Sequence, residues 1–269
     1  MPIGKGLRAA DGSAFPGRRN CDMPWRRKAR GRQRKGLQRM KPKRGLFIVL
    51  EGLDGAGTTT QAAELSKHLT YNGSRVWLTN EPTDEPVGKL IRDSLSGKVI
   101  SARTNEKTGF SENALCLLFA ADRLQHSVRI EEARRRGIHV VCDRYILSSI
   151  AYQSLDPSIT PRRVAEVNRG CAIPDVTLLL SVPVQECLAR LKKRKGEPTV
   201  YEKKRTLEGI DRNYRSARTL YAKTFGPLIL IDGARTPAEV NREIIAKLAP
   251  YLSGRPGSRD RRARPSGRP

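Results

Sequence analysis

Acidic charge is short in this 269-residue chain: 27 Asp and Glu stand against 52 Lys and Arg, a formal net charge of +25. Its five cysteines, Cys21, Cys116, Cys142, Cys171 and Cys187, are odd in number and form no C-x-x-C pair. That pattern supports neither a zinc ribbon nor a disulfide framework. Cys116, Cys142 and Cys187 sit inside apolar stretches and read as small core residues of a protein kept in the reducing cytoplasm. No apolar run approaches the length of a membrane span, and the basic start lacks the apolar segment of a secretory signal. Aromatics make up 5% of the chain. Only Phe15 and Trp25 fall in the first 44 residues, so the basic N-terminal stretch has few platforms for stacking bases. No internal repeat is visible.

The positive charge gathers at the two ends. Residues 1–44 carry 15 Lys and Arg against Asp11 and Asp22, and residues 253–269 carry six Arg against Asp260. Of the +25, only +7 remains for residues 45–252. Both ends are expected to be disordered, because they cannot bury enough apolar surface to offset their ordering entropy. They read either as tethers for nucleic acid or another acidic surface, or as unselected tails, with Met40 an alternative start. The expected organisation is a basic extension (1–44), one folded domain (45–252) and a basic tail (253–269).

What the chain does have is concentrated in Phe47 to Gln61, FIVLEGLDGAGTTTQ. The apolar run Leu46 to Leu50 predicts a strand buried on both faces. A glycine-rich turn follows, then a helical pattern, which is the setting of a phosphate-binding loop. Glycines let backbone N–H groups turn inward around an anion, and the helix N-terminus adds partial positive charge. In the signature G-x-x-x-x-G-K-[ST], Gly52 and Gly57 have the right spacing and Thr59 stands at the magnesium-binding hydroxyl. The lysine position holds Thr58, so the loop alone is also compatible with a plain strand-to-helix turn.

Downstream, strand and helix patterns alternate. Strands are predicted over Arg75–Thr79, Ile138–Cys142, Val176–Val182 and Leu228–Ile231. Helices are predicted over Thr59–Leu69, Val87–Leu95, Glu112–Arg136, Ser148–Gln153, from Pro161, from Val184, over Leu207–Phe225 and over Pro237–Leu252. The alternation predicts an α/β fold, a five-stranded parallel sheet flanked by helices. The basic segment Arg190 to Arg205 lies between two helices and reads as a short mobile lid. Asp143-Arg144 closes the third strand. A carboxylate there can hold metal-bound water, and an arginine can grip a phosphate bidentately.

Four segments, EGLDGAGTTTQ (51–61), EPTDEPVGKLIR (81–92), LLFAADR (117–123) and CDRYILSSIAYQ (142–153), resemble the thymidylate kinase family in order and spacing. PDVTLLLSV (174–182) is similar too, and the resemblance spans about residues 45–252. It implies a P-loop nucleoside triphosphate hydrolase fold, a homodimer, and transfer of the γ-phosphoryl of ATP to dTMP with Mg²⁺, a step in dTTP synthesis. On matching positions it implies an ATP cradle of Gly52, Leu53, Asp54, Gly55, Ala56, Gly57, Thr58 and Thr59, with Thr59 and Asp143 at the metal. Phe119 resembles the aromatic that stacks on thymine, and Arg123 the arginine that reads a base carbonyl. Arg92 and Arg144 resemble the pair gripping the acceptor phosphate. Ser149 and Gln153 resemble polar residues near the base, and Tyr152 the tyrosine that crowds the sugar 2′ position. Asp54 matches the loop aspartate facing sugar and metal, and Glu81 the acid after the second strand.

Two rivals remain at this level: a kinase for another deoxynucleoside or deoxynucleotide, and an inactive nucleotide-binding fold whose basic ends serve nucleic acid. The departures from the family pattern decide what to test. Thr58 carries no charge, Asn80 replaces an arginine, and Thr199-Val200-Tyr201-Glu202 stands where Asp-Arg-Phe-Glu is common. Gly55 lacks the loop arginine that some members carry, and members without it draw on lid arginines. The expected catalytic set is therefore Asp54, Arg144 and Arg194, with Arg194 and a neighbouring lysine closing over ATP to supply the missing charge. Arg194→Ala is expected to collapse turnover while leaving dTMP affinity nearly unchanged; steady-state kinetics paired with calorimetry checks this, and a near-normal rate sinks it.

Overall fold

The computed structural model describes residues 44–193, 201 and 203–253, all within one compact unit that begins at Pro42. Of the ends expected to be disordered, 1–43 (with Met40) and 254–269 lie outside the described residues, as do 194–200, with Arg194, and Glu202.

The elements follow in the order β1 (Phe47–Gly52), α1 (Thr58–Tyr71), β2 (Val76–Asn80), α2 (Pro86–Leu95), α3 (Glu112–Arg135), β3 (His139–Asp143), α4 (Ile146–Gln153), α5 (Pro161–Val167), β4 (Val176–Ser181), α6 (Val184–Lys193), α7 (Lys204–Phe225), β5 (Leu228–Asp232) and α8 (Pro237–Leu252). The five strands pair in parallel in the order β2-β3-β1-β4-β5. Every residue of β1 is buried, while β2 and β5, at the edges, are largely half-exposed. That gradient is why β1 opens on an unbroken apolar run while β2 ends in the polar pair Thr79-Asn80. The helices divide into two groups that pack among themselves. Helices α1 and α8 pack on each other, whereas α4 gathers α3, α5 and α7 around it. The two groups cover the sheet on both sides.

Local chemistry sets the boundaries. Ser111 Oγ accepts from the Ala114 amide at the start of α3, and Thr236 with Glu239 forms a capping box at α8. Pro86, Pro161 and Pro237 stand at first helical turns, where a missing N–H costs nothing. Both ends of the segment expected as a lid fall in regular helix. Arg190 to Lys193 belong to α6, because Val184, Cys187 and Leu191 continue one buried face, and Lys204 with Arg205 already lies in α7. Helix α4 also begins two residues before the predicted Ser148, for a reason found in Glu51 below. Cys116, Cys142, Cys171 and Cys187 are buried and unpaired. Among the described residues no helix is long and apolar enough to cross a membrane.

The strand order has a functional consequence. The connection from β1 leads to α1, on one side of the sheet, and that from β3, beside it, leads to α4, on the other. A crevice therefore opens above the C-terminal ends of β1 and β3, where open α/β sheets bind ligands.

Candidate active site

The glycine turn after β1 is held by a bond from the Ala56 amide to the Leu53 carbonyl (3.0 Å) and by left-handed glycines, Gly55 (φ +83°) and Gly57 (φ +95°). Gly57 caps α1 with its backbone, and a Cβ placed on it would meet nothing within 4 Å. The space above it is therefore open to a ligand. Gly55 is closed instead: a Cβ there would lie 2.6 Å from the Cys187 carbonyl oxygen of α6. No side chain of any size, arginine included, fits at that position without moving α6. Arg190 of α6 donates to the Ala56 carbonyl (3.3 Å) and the Gly233 carbonyl (3.0 Å), and it pairs with Glu186. Thr58, at the lysine position, is buried in the first turn of α1.

Beside the loop, β3 ends in Asp143. Its Oδ2 accepts from the Thr59 hydroxyl (2.5 Å), while its Oδ1 is buried with no partner among the described residues. A buried acceptor left open is costly unless something donates to it. A water on a magnesium ion suits it, since that ion keeps several waters and takes few protein ligands. Among the described residues no cluster of three acidic, His or Cys side chains offers an all-protein cage.

Arg144 follows in the left-handed region (φ +68°), a conformation that costs a non-glycine residue about 1–3 kcal/mol. Its guanidinium donates to the Gly52 carbonyl (2.9 Å), the Ser148 hydroxyl (3.3 Å) and the Tyr152 hydroxyl (3.1 Å), and it pairs with Asp54 (2.6 Å). Burial disfavours its charge, but the surrounding Tyr152, Asp54, Tyr214 and Asp143 more than offset that and hold its pKa well above the ordinary arginine value. Arg144 therefore stays a fixed cation against the glycine loop.

A hollow of about 170 Å³ opens next to it, lined by Asp54, Glu81, Pro82, Leu95, Phe119, Arg123, Arg144, Tyr145, Ser148, Ser149, Tyr152, Gln153 and Tyr201. Helix α3 contributes Phe119 and Arg123, one turn apart on one face. Helix α4 contributes Ser149, Tyr152 and Gln153. Gln153 is 3% exposed, and both ends of its amide lack a partner among the described residues. Arg123 is 1% exposed. It donates to Glu81 (2.7 Å), Asn168 (2.5 Å), Ser149 (2.8 Å) and the Tyr145 carbonyl (3.3 Å), four of its five N–H groups. Desolvation works against its charge, and Glu81 first among its neighbours outweighs it and raises the pKa. Glu81 receives Arg123 on one oxygen and His126 Nδ1 (2.9 Å) on the other. Arg92 alone among the candidate acceptor residues does not line the hollow. Its guanidinium reaches the Pro82 carbonyl (2.8 Å), the Thr83 carbonyl (2.5 Å) and Asp84 (3.2 Å).

The model of the family described as thymidylate kinase matches residues 50–244. This chain belongs to the thymidylate kinase family. It is 37% identical over 204 residues to the probable thymidylate kinase of Methanococcus aeolicus, covering 75% of this chain and 95% of the relative. It is 35% identical over 212 residues to that of Pyrococcus abyssi, covering 78% and 99%. The solved thymidylate kinase of Candida albicans, reported with broad substrate specificity, superposes with a TM-score of 0.60 at 25% identity, covering 78% of this chain and 93% of that one.

Several residues that shape the site escaped the sequence reading. Glu51 was visible as a charge inside an apolar strand, and that signal could have found it. Tyr214, Asn168 and His126 carry no signal, because each acts through a contact far away in sequence: on Gly52 (3.0 Å), Arg123 and Glu81. Removing one member of a buried pair leaves a bare charge. Glu81→Ala is accordingly expected to lower stability by about 3–5 kcal/mol, read as a lower midpoint in a denaturant titration. An unchanged midpoint would show that Arg123 does not depend on Glu81.

Proposed function

We propose that this chain transfers the γ-phosphoryl group of ATP to dTMP, giving dTDP and ADP. The observation that carries the reading is the single hollow joining Phe119, Arg123, Ser149, Tyr152 and Gln153 to Arg144 and Asp54 at the glycine loop. Gln153, with both amide ends unpartnered, complements a base edge that presents an N–H beside carbonyls, as thymine does. Arg123 has one N–H left for a base carbonyl, and Phe119 supplies a ring face for stacking. Arg144 meets the acceptor phosphate where it comes nearest the loop. The crowding of Tyr152 by Tyr201 (5.2 Å) and Tyr214 (6.3 Å) fixes its ring beside the sugar and favours a deoxyribose.

The open space over Gly57 and the amides of the loop suit the polyphosphate of ATP. Thr59 and Asp143 would hold Mg²⁺, which would supply positive charge to neutralise the charge developing on the phosphates. Chemistry of this kind is positioning and electrostatics, so no side chain needs to become covalently attached. Four buried, unpaired cysteines fit a reducing compartment such as the cytoplasm. The deciding measurement is ADP release from the purified chain with dTMP, dUMP, dCMP and dGMP side by side. Preference for dTMP is expected, equal use of dCMP or dGMP would reject the acceptor reading, and ATP binding without turnover would favour the inactive fold.

We infer a homodimer through α3. Leu117, Leu124 and Val128 are more than half exposed, and with the exposed Ala121 they recur at i, i+4, i+7 and i+11, one continuous stripe. Leu124→Glu is expected to yield a monomer in light scattering, and a dimer that persists at the same concentration would place the interface elsewhere.

A further inference from the structure

Glu51 sits in β1 one residue before the glycine turn and is completely buried. Its Oε1 accepts from the backbone amides of Tyr145 (2.9 Å) and Ser148 (3.1 Å), at the N-cap and third residue of α4. Its Oε2 accepts from the Ser148 hydroxyl (2.5 Å) and the Tyr214 hydroxyl of α7 (3.3 Å). Tyr214 also bonds the Gly52 carbonyl (3.0 Å), and Ser148 Oγ accepts from Arg144 (3.3 Å). The carboxylate makes no direct ion pair among the described residues.

Helix α4 has no side-chain cap of its own: Tyr145 occupies the N-cap position. A local Ser or Asp there would reach the Ser148 amide but not the amide of the N-cap residue itself. A cap reaching in from β1 does something a local one cannot. It fixes the start of α4 to the strand that carries the glycine loop, across a sequence separation of more than ninety residues. The residue before that cap is Arg144, in its left-handed turn, and the helix behind it carries Ser149, Tyr152 and Gln153 to the hollow.

We propose that Glu51 is a positioning residue for the acceptor, setting the register between Arg144, α4 and the phosphate loop without touching either substrate. The proposal rests on the reading of the hollow as the dTMP site. Its demand is geometric. A Gln keeps an oxygen for the two amides, and its NH₂ can donate to Ser148, whose hydroxyl turns to Tyr214. An Asp keeps the charge but is one methylene too short to reach both amides, and an Ala leaves them bare.

The test compares Glu51→Gln, Glu51→Asp and Glu51→Ala with the unaltered full-length chain, measuring KM for dTMP, KM for ATP, dTMP affinity by calorimetry and thermal midpoint. Gln is expected to keep the dTMP values within about threefold, while Asp and Ala weaken them about tenfold or more with KM for ATP unchanged, as losing one or two buried bonds implies. Should Ala not fold, Asp carries the comparison. Equal weakening toward both substrates, or a lower midpoint with both KM values unchanged, would reduce Glu51 to a packing residue and overturn the proposal. Failure of the unaltered chain to use dTMP overturns the acceptor reading along with it, whereas normal turnover with unselective variants overturns this proposal alone.

Discussion

The turn at Arg144 is the constraint around which the site is arranged. An L-residue at φ +68° persists only where its surroundings over-determine it. Here the Arg144 amide bonds the Leu50 carbonyl (2.8 Å), its guanidinium reaches Gly52, Asp54 and Tyr152, and the next amide, from Tyr145, bonds Glu51. Reversing the chain within one residue lets a single strand end serve two sides. Asp143 turns toward Thr59 and the start of α1, and Arg144 turns toward the hollow. A relaxed turn would separate the acid from the cation by further residues and loosen both.

A second constraint is electrostatic and lies on the other wall. Glu81, Arg123, His126 and Asn168 form a buried polar cluster, connected through Thr79 to β2 and through Ser149 to α4. Replacing such a cluster by apolar side chains of equal volume often costs no stability. Its worth therefore lies in what it holds in place. Arg123 is fixed by four bonds and has one N–H remaining, so its free donor points in one direction with little side-chain entropy left to lose. Asp122, its neighbour on α3, accepts from the Thr83 amide (2.8 Å) and hydroxyl (2.6 Å) and ties down the loop whose carbonyls Arg92 grips.

Much of this was legible in sequence because the signals are local. The apolar run 46–50, the glycine spacing and the proline-opened helices each follow from backbone chemistry within a few residues. Phe119 and Arg123 could be paired because helical periodicity alone puts them on one face. Bonds across the fold were not legible. Asn168 meets Arg123 only because α5 ends beside α3, and Tyr214 reaches Gly52 only because α7 packs against α4. Arg92 is a different case. Its place in a matching segment implied a phosphate contact, while its guanidinium lies on backbone carbonyls and Asp84. That Arg190 to Lys193 continue a helix was not legible either, because a run of Lys and Arg carries no information on where an amphipathic helix stops.

The threonine at position 58 then has a physical context. A lysine there would bring a mobile ammonium to the loop, to be ordered when phosphates arrive. This chain instead holds Arg144 against the Gly52 carbonyl and Arg190 against the Ala56 carbonyl, two guanidinium groups flanking the same turn. Charges already fixed cost less reorganisation at the moment of reaction than one that must be recruited. They are also committed to protein partners, Asp54 and Glu186, which dilutes the field each presents to a phosphate. The balance turns on Asp54. If the carboxylate swings from Arg144 toward metal or sugar as substrates bind, the cation is released to the phosphates just when negative charge accumulates there. On that account Thr58 is tolerable because the charge it lacks is stored one strand away, in an ion pair that the substrates themselves would open.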